Sequence, residues 1–74
     1  MTLGKYKHYK GNEYEIIAYA RDSDTLEELV IYKGLYECKE FGKNPIWVRP
    51  KKEFFEKIII DGKEVDRFRE IHID

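Results

Sequence analysis

Apolar and polar positions alternate along this chain in short runs broken by turn-forming residues, a pattern of β-strands rather than long helices. Residues 5–9 (KYKHY) alternate, and Lys10-Gly11-Asn12 supplies turn chemistry before the next run, which predicts an opening β-hairpin. Residues 14–20 (YEIIAYA) contain no breaker and predict a central strand with one face fully buried. Simple alternation puts Tyr14, Ile16, Ala18 and Ala20 on one face, with Ile17 and Tyr19 on the other. Asp22-Ser23-Asp24-Thr25 follows as a polar turn, and Thr25-Leu26-Glu27-Glu28 fits a capping pattern. A single helical turn is the most that this stretch supports, because Val30-Ile31-Tyr32 immediately restores β-propensity.

A third strand is predicted over residues 29–36 (LVIYKGLY), where the interior Gly34 signals a bulge or a close approach and strong bending. Residues 40–44 read as a loop. Pro45 leads into a short fourth strand, Ile46 to Arg49, which Pro50 stops. Lys51 to Phe55 suits one turn of α- or 3₁₀-helix, with Phe54 pointing inward. Lys57 to Ile60 is the fifth strand, and Asp61-Gly62 is the strongest two-residue hairpin signal in the chain. Glu64 to Phe68 pairs back, and Arg69 to Asp74 frays or extends that strand. These elements predict a mainly β fold, a small and strongly bent antiparallel barrel of the SH3-like kind with one short helical turn. An α+β fold, with residues 23–30 as a true helix, is the alternative.

Composition tightens this picture. At 74 residues the chain is expected to form one domain, residues 1–74, with nearly every large apolar residue needed inside. The supply is aromatic: one Trp, four Phe and six Tyr beside a modest set of Ile, Leu and Val. Cys38 stands alone, so no internal disulfide forms, and no stretch has the length of a signal peptide core or a membrane span. The expected setting is the cytoplasm, away from membranes. A net charge of −1 argues against a nucleic-acid footprint over the whole surface. Locally, though, residues 1–11 carry Lys5, Lys7 and Lys10 without an acid, and residues 43–52 carry Lys43, Arg49, Lys51 and Lys52 without an acid. Side by side, these segments would form a basic patch.

Several chemistries lack their residues. No glycine-rich phosphate loop is present. His8, His72 and Cys38 have no zinc-ligand spacing, and nothing in spacing joins Ser23 or Cys38 to a histidine and an orienting acid. No cofactor, metal ligand or catalytic residue is therefore assigned. What stands out is the interleaving of aromatics with cations: Tyr6, His8, Tyr9 and Lys10; Tyr32 and Tyr36; Trp47 and Arg49; Arg67 and Phe68. Such pairs can stack a planar group or grip an anion. The large rings Tyr14, Trp47, Phe54 and Phe68 belong in the core, whereas an acid such as Glu27 or Glu53 is the obvious structural partner for Arg49.

The residues Gly4-Lys5-Tyr6-Lys7-His8-Tyr9-Lys10-Gly11-Asn12-Glu13-Tyr14 resemble the G-x-Y-x-H-Y-K-G-x-x-Y opening of the domain of unknown function 1653 family. Residues 23–32 (SDTLEELVIY) are similar to its S-E-T-x-E-x-x-V-x-Y segment, with Asp24 in place of Glu. Trp47-Val48-Arg49-Pro50 matches its W-V-R-P, and Arg67-Phe68 its closing R-F. The loop from Glu37 to Asn44 is longer than the family's usual link. The resemblance implies a small bacterial domain, found alone or attached to other modules, with no activity to carry over. It also implies that His8, Lys10, Thr25, Tyr32, Arg49 and Arg67 form a recurring polar set.

The reading that joins these points is a non-enzymatic binding module for a small anionic ligand or an acidic peptide. Its candidate ligand-binding residues are His8, Lys10, Thr25, Tyr32, Tyr36, Arg49 and Arg67. Nucleic-acid binding through the two basic segments is one alternative. Protein interaction or homo-oligomerisation through unpaired strand edges is another. A hydrolase or transferase would need a catalytic carboxylate buried beside His8.

Overall fold

The computed structural model describes residues 4–71. Along the chain it contains β1 (Lys5–His8), β2 (Glu13–Arg21), β3 (Glu28–Gly34), β4 (Glu37–Cys38), β5 (Gly42–Lys43), β6 (Ile46–Pro50), α1 (Lys51–Phe54), β7 (Lys57–Ile60), β8 (Lys63–Asp66) and β9 (Phe68–Ile71). Five strands form one antiparallel sheet in the order β6-β3-β2-β1-β9, while β4-β5 and β7-β8 are separate two-stranded ribbons. Among the described residues no helix is long and apolar enough to cross a membrane.

The turns follow their local chemistry. Asp61 and Gly62 both take positive φ, 51° and 78°, the backbone that a two-residue hairpin with right-handed strand twist requires. Between β2 and β3 the Asp22 carboxylate accepts the amides of Asp24 and Thr25 at 2.8 and 3.0 Å, and Thr25 Oγ1 accepts the amide of Glu27 at 3.2 Å. These side chains satisfy the backbone in a turn, and β3 begins at Glu28. The α+β alternative, with a helix over residues 23–30, is thereby excluded.

Nor does the sheet close into a barrel. Its outer strands, β6 and β9, do not pair with each other, and neither ribbon joins the two edges. The SH3-like expectation rested on Gly34 bending the middle of a strand, but Gly34 is the last residue of β3. A methyl group there would meet the Tyr36 ring at 2.6 Å, so glycine admits a side chain rather than a bend. The face that a second wall of barrel would have covered is filled instead by α1, whose Phe54 stacks on Phe68 of the sheet's own edge strand. Pro50 leads directly into α1, whose Phe54 is completely buried.

A bulge decides which side chains reach that core. Ile16 pairs with Tyr32 and Ala18 with Ile31, leaving Ile17 without a partner across the ladder. One extra residue reverses the alternation downstream. Tyr19 therefore packs on the core, whereas simple alternation had grouped Ala18 and Ala20 with Ile16. The core is Ile16, Val30, Tyr32, Phe54 and Phe68, flanked by Tyr6, Tyr14, Tyr19 and Trp47. Phe54 and Phe68 stack with centroids 4.0 Å apart and planes 5° from parallel, and Tyr32 meets both rings edge-on. Truncating this stack should be costly: Phe54→Ala is expected to lose about 3–5 kcal/mol. Ile59→Ala, on the exposed β7-β8 ribbon, should lose less than about 1 kcal/mol. Urea unfolding followed by Trp47 fluorescence measures both.

Candidate functional site

Phe68 organises more than the core. Register sets it opposite His8, whose imidazole meets the ring edge with centroids 4.8 Å apart. The Arg49 guanidinium lies over the same ring at 5.8 Å, and Arg49 Nε donates to the Tyr32 hydroxyl at 3.3 Å. Arg67, the residue before Phe68, donates from Nη2 to Glu56 at 3.0 Å. Its Nε–H is buried with no hydrogen-bond partner among the described residues. Arg49 forms no ion pair among the described residues, so its expected partners Glu27 and Glu53 do not neutralise it; Glu27 pairs with Lys52 instead.

A band of rings continues from this point. Tyr14 meets Tyr32, Tyr36 and Phe68 edge-on at 5.3, 5.6 and 5.6 Å. Trp47 Nε1 donates to the Tyr36 hydroxyl at 3.2 Å, and the Tyr14 and Tyr36 hydroxyls are 3.4 Å apart. Burial and the contact with Tyr36 push the Tyr14 phenol up to about 12, so it keeps its proton at neutral pH. Phe41, exposed in the turn between β4 and β5, sits edge-on to Trp47 at 5.3 Å.

His8 is the electrostatic reporter of the group. Its Nδ1 accepts the backbone amide of Lys10 at 3.1 Å, which places the neutral ring's proton on Nε2. Burial lowers its pKa, and the charges of Arg49, Lys10 and Arg67 lower it further. His8, Lys10, Arg49 and Arg67 therefore share one electrostatic neighbourhood, with Tyr32 bonded to Arg49 and Tyr36 joined through Tyr14. Beside it, a cleft of ≈ 450 Å³ is lined by Lys7, His8, Tyr9, Val65, Asp66 and Arg69. A second cleft, ≈ 380 Å³, involves Glu27, Glu28, Lys51, Lys52 and Phe55 and lies away from the cluster.

Six of the seven sequence candidates thus come together, and Thr25 does not. It belongs to the turn joining β2 to β3, at the far end of β2 from Tyr14, and its hydroxyl serves that turn. The basic segments are not adjacent either: β2 and β3 separate β1 from β6, and Glu13 and Glu15 on β2 stand opposite Lys7 and Lys5. Sequence reasoning missed Glu56, the acid that holds Arg67, and Phe41. An aromatic before glycine in a polar loop was the one available sign of the latter.

A profile of the family of proteins of unknown function DUF1653 matches residues 4–70. The chain belongs to the DUF1653 family. A crystal structure of a DUF1653 protein from Bordetella bronchiseptica superposes with a TM-score of 0.83 at 28% identity, covering 100% of this chain and 92% of that one. No curated protein matches. The DUF1653 match spans the whole cluster, from His8 through Arg49 to Phe68.

The depressed His8 pKa has a stability consequence of definite sign. The unfolded chain takes up a proton near pH 6.5 while the folded chain does not, so stability is fully present above 6.5 and declines as pH falls from there to the folded pKa. Below the folded pKa the decline from this group ends. An NMR titration of the His8 ring should give a midpoint below 6.5, and Arg49→Gln should move it upward.

Proposed function

We propose that this DUF1653 domain is a binding module for a small anionic ligand, a carboxylate or phosphate, received beside Arg49 and His8 with the Tyr14, Tyr36 and Trp47 rings as a flanking wall. The observation that carries this reading is the set of unspent donors: Arg49 has no ion pair among the described residues, and the buried Arg67 Nε–H has no acceptor among them. A buried donor without a partner costs free energy, and a guanidinium fork suits a two-oxygen anion. The aromatic wall supports a ligand with a flat or apolar portion. Cys38, half-buried and unpaired, gains nothing from an oxidising compartment, which supports a cytoplasmic setting.

Charge linkage supplies the test. A bound anion favours the imidazolium form of His8, so binding takes up a proton and tightens as pH falls through the His8 titration. Inorganic phosphate and citrate, titrated against sodium chloride of equal ionic strength, are the probes. The expected result is a saturable change at His8 and Trp47 by NMR and fluorescence, with the His8 pKa raised in the complex. Arg49→Gln should weaken binding at least about tenfold, or about 1.4 kcal/mol. Equal responses to chloride, or a response indifferent to Arg49→Gln, would remove the site. A response confined to an acidic peptide would replace the small ligand with a larger one.

A further inference from the structure

The reverse face of the five-stranded sheet carries an apolar strip. Register places Ala18, Ile31 and Val48 in one cross-strand row and Ala20, Leu29 and Pro50 in the next. Ile46 lengthens the strip along β6, and Ile46 and Val48 are 56% and 60% exposed. An antiparallel sheet with one face on the core ordinarily turns polar side chains outward. Here the outward face of β2, β3 and β6 is apolar because Leu29, Ile31, Ile46 and Val48 occupy it, and the bulge at Ile17 sets the small Ala18 and Ala20 beside them in place of Tyr19.

We infer that this face packs against the same face of a second copy of the chain, about a two-fold axis that runs parallel to the strands between β2 and β3. Charge is the first reason. Beside the strip, Lys5, Glu15 and Lys33 form a row across β1, β2 and β3 with alternating sign, Glu15 and Lys33 being ion-paired at 3.4 Å. The axis lays β2 of each copy over β3 of the other and β6 over β1, so each Glu15 faces the other copy's Lys33 and each Ile46 lies along the alkyl stem of the other copy's Lys5. Shape is the second. The same operation sets Ala18 against Ile31 and Ala20 against Leu29, small side chains against large ones, as interdigitating sheets require.

Symmetry makes both matches self-consistent, since an isologous contact repeats each pairing twice. A net charge of −1 leaves little repulsion between copies. Association through the β6 edge is less suited, because Pro45 precedes that strand and Pro50 ends it. The inference does not depend on anion binding, because Tyr32 and Trp47 lie on the other face of the sheet.

Sedimentation velocity over a concentration series reaching the millimolar range tests it. The wild-type chain should reach twice the monomer mass, and Ile31→Glu, set against Ala18 of the other copy, should raise the dissociation constant at least about tenfold. Glu15→Lys and Lys33→Glu provide the sharper test. Each variant alone brings like charges together across the axis and should stay monomeric. An equimolar mixture sets two lysines against two glutamates and should form a heterodimer, although within each chain the 15–33 pair is repulsive in both experiments. A wild-type chain monomeric throughout the series overturns the inference. So does unchanged association of Ile31→Glu, or a mixture no heavier than its separate chains.

Discussion

Much of this structure depends on the contact between Phe54 and Phe68. The two rings come from unlike places, a single helical turn and the last strand, and stack with centroids 4.0 Å apart. Tyr6 reaches Phe54 at 5.3 Å, Tyr32 touches both rings, and Tyr14 and His8 reach Phe68. A chain of 74 residues buries a modest fraction of its surface, and among the described residues the fully buried aliphatics are Ile16 and Val30. Rings supply the missing area, each burying more than an aliphatic side chain and locking neighbours through edge-to-face geometry. The stack also explains why the sheet stays open. One turn of helix covers its inner face through Phe54, which stacks on Phe68 of the edge strand, so closure would displace the residues that already fill it.

The same contact makes core and candidate site one assembly. Phe68 turns one face to Phe54 and offers its remaining surface to His8, Tyr14 and the Arg49 guanidinium. Arg49 donates to the Tyr32 hydroxyl and forms no ion pair among the described residues, whereas Arg67 is held by Glu56. The two arginines consequently differ in what they have left to offer: a whole charge in one case, a single buried N–H in the other. Burial first, and then the charges of Arg49, Lys10 and Arg67, make protonation of His8 unfavourable, and the neutral ring adds no further positive charge to that group.

Legibility in the sequence followed the range of the signals. Asp61-Gly62 marked its hairpin because the turn backbone is a local matter of positive φ. Pro50 and the inward Phe54 marked α1 for an equally local reason. The bulge was not legible: Tyr14-Glu15-Ile16-Ile17-Ala18-Tyr19-Ala20 carries no glycine or proline where the ladder slips, and the slip exists because Tyr19 gains more from the core than Ala18 would. Barrel closure was misjudged on the same grounds, since whether two strand edges meet is decided by what fills the space between them. Strand content was readable; sheet topology was not. Of the site, His8, Lys10, Tyr32, Tyr36, Arg49 and Arg67 were named from aromatic and cationic interleaving, whereas Thr25 was drawn in by a motif whose work is confined to its own turn. Glu56 escaped because an ion pair across 11 residues leaves no periodic trace.

The placement of charge also separates what stabilises this fold from what it can recognise. A domain this small gains most by ending its aromatic core in groups that satisfy one another, as Trp47, Tyr36 and Tyr14 do through their N–H and O–H contacts. Directly beside that satisfied group stand a guanidinium without an ion pair among the described residues and a buried donor without an acceptor among them. Two apolar side chains in their place would cover Phe68 without the cost of confining like charges. Consistent local solutions over most of a chain, broken at one cluster, mark the place where the balance is not set by stability. Here the break lies beside His8, whose ring is near the charges of Arg49, Lys10 and Arg67, and on the anion-binding function proposed above the free energy given up there is what the ligand would recover.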